Sequence, residues 1–234
     1  MTKKKKTEGK KEPGKKRAHK KKKQAEPEAA GRKQRKYRNT RHLLIFSVED
    51  QLEHGKQVSN LAYEVAKELK LPEEECENLA IAGFLHDIGK AELNQAFQKK
   101  DTLVVEEMNS VRMHPMKGYE ILKRHGFDEG ICEDVLFHHE NYDGSGYPDN
   151  LAGPNIPVGA CILRVCDVFC ALVSDRAYRK AYSPEKAMEL MTEEMKNFDL
   201  RVFLAFQRVM HQSEDGSLKL PEVSEKVKGV WKSL

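Results

Sequence analysis

Two adjacent histidines and an acid, His138, His139 and Glu140, open the stretch HHENYDGSGYP, which runs through Gly144, Gly146 and Tyr147 to Pro148. Imidazole and carboxylate are the donors that bind first-row metals when deprotonated. Two glycines so close together permit positive φ and close approach of the chain. Upstream, GFLHDIGK places His86 beside Asp87. Either dipeptide alone is unremarkable in a chain with nine histidines. Asp167 is harder to dismiss, because it interrupts the apolar run ILRVCDVFCALV. An unpartnered buried carboxylate costs several kcal/mol. Its partner is Arg164 three residues earlier, Arg176 beyond the run, or a metal.

His54 lies four residues after Asp50, so one helix face presents both. His114 precedes Pro115. Taken together, Asp50, His54, His86, Asp87, His114, His138, His139 and Asp167 offer five imidazoles and three carboxylates. That exceeds what one ion takes, so two divalent metals are expected, or three. Facing helices of a bundle are where such sites are built.

The elements that must position these residues read as helices almost throughout. Val58, Leu61, Ala62, Val65, Ala66 and Leu69 repeat at helical spacing. Pro72 with Glu73, Glu74 and Glu75 opens a second helix, expected to run to about Ile88. Further helices are expected over 104–124, 131–140, 157–174, 184–196, 200–211 and 223–234. No alternating strand pattern and no repeat is found. The fold class is all-α, a compact bundle with its metal site between helices.

The net charge of +4 hides an asymmetry. Residues 1–41 hold nineteen Lys and Arg against four Glu, a charge of +15, which leaves 22 against 33 and −11 for the remainder. The leader carries almost no large apolar side chain, and is expected to be a disordered tail. It lacks the apolar stretch of a secretory signal. It is either a solvated arm or an electrostatic contact for RNA, DNA or an anionic membrane surface. Residues 42–212 form the expected domain, and 213–234 a linker with a short helix. The five cysteines show no C-x-x-C pair and suggest a reducing, cytoplasmic setting. The longest apolar run, Val158 to Val173, is too short and too interrupted to cross a membrane.

LHDIGK, then HHENYDGSGYP, then CDVFCALVSDRAYRKAYSPEKAM resemble the HD-GYP branch of the HD phosphohydrolases. The resemblance covers roughly residues 42–211, and DGSGYP following HHE is its most specific part. It implies a bacterial signalling hydrolase with two or three metals, iron or manganese. The reaction would be hydrolysis of cyclic di-GMP to pGpG or on to GMP. It implies metal ligation by His54, His86, Asp87, His114, His138, His139 and Asp167. Asp50 stands where three-metal members carry a glutamate. Lys90 matches a phosphate-contacting, catalytic lysine, and Arg176 and Arg179 match downstream phosphate contacts. Gly146, Tyr147 and Pro148 would shape the substrate rim, with Tyr147 stacking on a base or sealing the pocket. The same loop is linked in the family to contacts with diguanylate-cyclase domains. Glu140 matches no ligand position.

In this reading two cations share a bridging water, lower its pKa and create a nucleophile at neutral pH. Asp87 bridges the cations. Residues 91–111 depart from the family pattern, which leaves room for another cyclic or linear dinucleotide. A weakly catalytic cyclic-dinucleotide sensor with an RNA- or membrane-binding tail is the reading from another class.

Overall fold

The computed structural model describes residues 48–92, 111–176, 179–211, 218 and 220–234. The basic leader and the expected helix start at 104–110 lie outside the described residues. Eight α-helices are described: α1 Val48–Glu68, α2 Glu73–Leu85, α3 His114–Arg124, α4 Glu129–Phe137, α5 Val158–Val173, α6 Pro184–Glu193, α7 Leu200–Met210 and α8 Glu225–Ser233. No strand occurs among the described residues beyond an isolated bridge between Arg176 and Arg179. The all-α expectation holds.

α5 is the central element and packs against α1, α2, α4, α6 and α7. Its apolar residues Ile162, Leu163, Val165, Cys166 and Phe169 are fully buried. Each such side chain contributes roughly 1.5–3 kcal/mol of burial. Val58, Leu61, Ala62, Val65 and Ala66 turn one face of α1 into the same core. At the far end Phe169 meets Phe206 edge-on, and Phe203 stacks on Phe198.

Most helix ends follow local chemistry. Asp128, Ser183, Asp199 and Ser224 each accept a backbone N–H at a helix start. Several helices end earlier than the periodicity suggests. α2 stops at Leu85 because His86 is its C-cap, and a turn over 86–88 follows before helical backbone resumes at 89. α4 stops at Phe137 for the same reason, with His138 as its cap. α6 ends at Glu193, and residues 195–197 form a separate 3₁₀ turn. At α2 and α4 a histidine side chain takes a carbonyl of the last turn, and at α6 the Glu194 backbone N–H takes those of Met191 and Thr192.

The C-terminal helix, expected as an appendage, packs on α1 and α2. Val227 is fully buried. Trp231 Nε1 donates to Ser59 Oγ at 2.9 Å, and Asn60 Nδ2 donates to the Pro221 carbonyl at 2.8 Å. α1 and α2 also approach closely: a Cβ on Gly83 would stand 2.8 Å from Ser59 Cα. That approach brings His54 of α1 beside His86 at the end of α2.

Candidate metal centre

Three histidines sit where helices begin or end. His86 caps α2, His138 caps α4, and His114 opens α3. Each has its Nδ1 on the carbonyl three residues earlier: His86 on Gly83 at 2.8 Å, His114 on Val111 at 2.7 Å, His138 on Val135 at 2.6 Å. A carbonyl only accepts, so Nδ1 carries the proton in all three rings. Their Nε2 lone pairs are therefore open. This is the tautomer that an Nε2 metal ligand needs.

The three rings are 0 %, 1 % and 0 % exposed, respectively. His114 Nε2 and His138 Nε2 face each other at 3.3 Å with no proton between them. His114 Nε2 also lies 3.2 Å from Asp87 Oδ1. Burial pulls His86 and His138 below the ordinary imidazole range, and His139 down to about 3. Burial thereby favours the neutral form of His86, His138 and His139.

The fifth imidazole is held differently. His54 Nε2 donates to Asp167 Oδ1 at 2.9 Å, which leaves Nδ1 as the acceptor. Burial alone would raise Asp167, but the His54 hydrogen bond and the neighbouring imidazoles hold it well below the usual carboxylate range. For Asp87, burial is likewise overcome, chiefly by Lys90, whose Nζ donates to Oδ2, and by His86.

The donor atoms collect into two groups, His114–His138–His139 and His54–His86–Asp87, each within 4.8 Å. In the second group His54 Nδ1, His86 Nε2 and Asp87 Oδ1 are buried acceptors without a hydrogen-bond partner. Three orphaned acceptors and an opposed Nε2 pair are costly in a bare protein and fit cations. Asp167 belongs to neither group. It fixes His54 and stands 3.7 Å from His86 Nε2. Asp50 is exposed in the first turn of α1 and is not among the residues of either group.

The glycine loop folds back on the helix end that precedes it. Tyr147 N donates to the His139 carbonyl, and Asp149 N donates to Glu140 Oε1 at 2.7 Å. A Cβ on Gly146 would come within 2.2 Å of Asn141 N, so this glycine serves backbone packing within the loop. Gly144 has φ of +81° in a turn whose Asp143 carboxylate accepts from Ser145. The Tyr147–Pro148 peptide is cis. Glu140 is 2 % exposed, and it ties the loop to the histidine pair.

The Tyr147 ring stacks on His139 with centroids 4.8 Å apart and 22° between planes. The guanidinium carbon of Arg112 lies 4.8 Å from the same ring centre. The stacked His139 ring takes one face of Tyr147. Burial raises the phenol to about 12.

Arg164 is not the partner of Asp167 through a hydrogen bond. Its Nε donates to Asn141 Oδ1 at 3.0 Å, and Nη1 lies 3.5 Å from His139 Nδ1. Arg179, expected on phosphate, donates to the carbonyls of Ala171, Leu172 and Lys180 and covers Tyr182. It closes the C-terminus of α5, where four carbonyls lack helical partners. Arg176 pairs its backbone with Arg179. Glu140, set aside as a metal ligand in the sequence reading, supports the site through the loop; nothing in VRMHP marks Arg112, which the sequence reading missed.

A family model described as HD domain matches residues 23–202. The chain belongs to the HD domain family, in its HD-GYP branch. The match begins inside the basic leader. This HD-GYP chain is 40% identical over 161 residues to a Xanthomonas campestris protein named cyclic di-GMP phosphodiesterase response regulator RpfG, covering 67% of this chain and 43% of that one. It is 33% identical over 154 residues to 3'3'-cGAMP-specific phosphodiesterase 1 of Vibrio cholerae, covering 64% and 36%. It spans less than half the length of these relatives. Among solved structures, the HD-GYP-type protein Bd1817 of Bdellovibrio bacteriovorus matches with a TM-score of 0.55 at 18% identity, over 70% of this chain and 54% of that one. That likeness shows the fold. No helix among the described residues is long and apolar enough to cross a membrane.

Proposed function

We propose that this chain is a metal-dependent phosphodiesterase that hydrolyses cyclic di-GMP to pGpG, to GMP, or to both. The observation that carries the reading is the pair of adjoining donor groups, with three imidazoles locked as Nδ1–H tautomers and their Nε2 atoms turned inward. The names of the relatives in Xanthomonas campestris and Vibrio cholerae support a cyclic dinucleotide as substrate. The residues that would hold two cations are His54, His86, Asp87, His114, His138 and His139, with Asp167 orienting His54. Iron or manganese suits an imidazole-rich set with a carboxylate. When bound, such cations supply Lewis acidity toward phosphate oxygens and a lowered pKa for attacking water.

The chain's own groups do the rest. Asp87 stays ionised and accepts from Lys90, which keeps an ammonium at the edge of the donor groups. That ammonium and Arg176 supply positive charge for an anionic substrate in an otherwise acidic body. Tyr147, neutral and stacked on His139, shields that ring from solvent.

The test uses the full chain, metal-analysed, with Mn²⁺ or Fe²⁺ and cyclic di-GMP, and resolves the products. Turnover lost in Asp87→Ala together with metal loading is the expected result. Tight binding without turnover in the loaded wild type would replace this reading with a sensor.

A further inference from the structure

The column His139–Tyr147–Arg112 leads from the donor groups to the surface and ends on an exposed guanidinium. Arg112 makes no ion pair among the described residues, whereas Lys117, Lys123, Arg124 and Lys180 each meet a carboxylate. It stands two positions before His114, and its neighbour Met113 is 47 % exposed. The contact with the Tyr147 ring holds the guanidinium by a cation–π attraction that uses none of its N–H donors, which leaves them for a ligand.

We propose that Arg112 reads the guanine edge of the bound dinucleotide and sets the preference of the site among cyclic dinucleotides. The proposal rests on the reading of the chain as a cyclic-dinucleotide enzyme. Three features favour a base over a phosphate. The reacting phosphate belongs at the donor groups, and Arg112 meets Tyr147, which itself stacks on His139. A guanidinium presents paired donors, and the O6 and N7 acceptors of guanine are a matching pair. Adenine places an amino donor where guanine has O6, and a guanidinium offers donors alone. Met113, next to Arg112 in the chain, is an exposed apolar side chain.

The experiment measures equilibrium binding of cyclic di-GMP and cyclic di-AMP to the full chain with metals chelated, alongside turnover with Mn²⁺ present. Arg112→Ala should weaken cyclic di-GMP binding roughly 10- to 100-fold and leave cyclic di-AMP nearly unchanged. Arg112→Gln should raise the adenine-to-guanine ratio, because an amide pairs with adenine N6 and N7. Turnover should follow binding through KM at constant kcat. Equal losses for both ligands would show a phosphate or structural contact and overturn the proposal, as would no change for either. A wild type that binds both rings equally also overturns it. Preferential binding of guanine without turnover sinks the hydrolase reading while leaving Arg112 in its role.

Discussion

Gly89, two residues after Asp87, is the tightest point between the HD turn and α3. A Cβ there would lie 2.1 Å from the His114 carbonyl oxygen and 2.7 Å from Gly118 N. Real Cβ contacts essentially never fall under 3.0 Å, so Gly89→Ala must part the two segments by close to 1 Å. The atoms struck are backbone, and no side-chain rotation relieves the clash. The segment pushed away carries His114, whose Nε2 is 3.2 Å from Asp87 Oδ1 and 3.3 Å from His138 Nε2. Overpacking of this kind costs typically 1–3 kcal/mol. For a domain of this size that lowers Tm by about 2–12 °C. A misplacement near 1 Å is also worth on the order of 100-fold in rate. The assay is threefold: metal stoichiometry, thermal melting and phosphodiesterase turnover. Gly229→Ala serves as the control, since a Cβ there meets nothing within 4 Å and sits in a helix. It should melt at or above the wild type. A Gly89→Ala protein that binds full metal, melts normally and turns over normally would refute the claim that this contact sets the ligand geometry.

Arg179→Ala should destabilise the fold by about 1–3 kcal/mol and so lower Tm, by removing donors from the end of α5, while KM and kcat at 25 °C stay at wild-type values; a raised KM with unchanged melting would return Arg179 to substrate. Glu140→Ala removes the acceptor of Asp149 N, and should raise KM without changing metal content; loss of metal would show that Glu140 supports the ligands directly. Asp134, which accepts from Ala160 N near the start of α5, has its carboxyl raised to about 7 by burial. Its folded pKa exceeds its unfolded value, so the folded state holds the extra proton and its contribution declines as pH rises from about 4 to about 7. Asp134→Asn should flatten that decline by a few kcal/mol in urea melts at pH 5 and pH 8. Identical pH dependence in the two proteins would count against a buried neutral acid.

The helices were readable because the core needs apolar residues at three-and-four spacing, and α1, α5 and α7 bury those faces. Asp167 was readable as a misfit, a charge inside the most apolar helix. Its partner was not, since His54 lies over a hundred positions earlier and only the packing of α1 on α5 joins them. Helix ends were misjudged at His86 and His138 because periodicity says nothing about which side chain captures a terminal carbonyl. Arg179 carries a second role that the motif does not encode: its guanidinium donates to two carbonyls at the end of α5, Ala171 and Leu172, and to that of Lys180. The face of Tyr147 covered by Arg112 depends on a contact between segments thirty-five positions apart, and no local pattern encodes it.

The hydrogen bonds from His86, His114 and His138 to carbonyls three residues back bind two properties into one residue. Each ring finishes a helix terminus or opens the next, and by the same bond sets which nitrogen faces inward. Replacing any of the three by cysteine or aspartate, both competent metal donors, would therefore disturb a helix boundary as well as the donor type. His54 and His139 carry no such double duty. Across a lineage, ligand identity should drift first at those two positions, and the architecture of the bundle should resist change at the other three even where activity is under no selection.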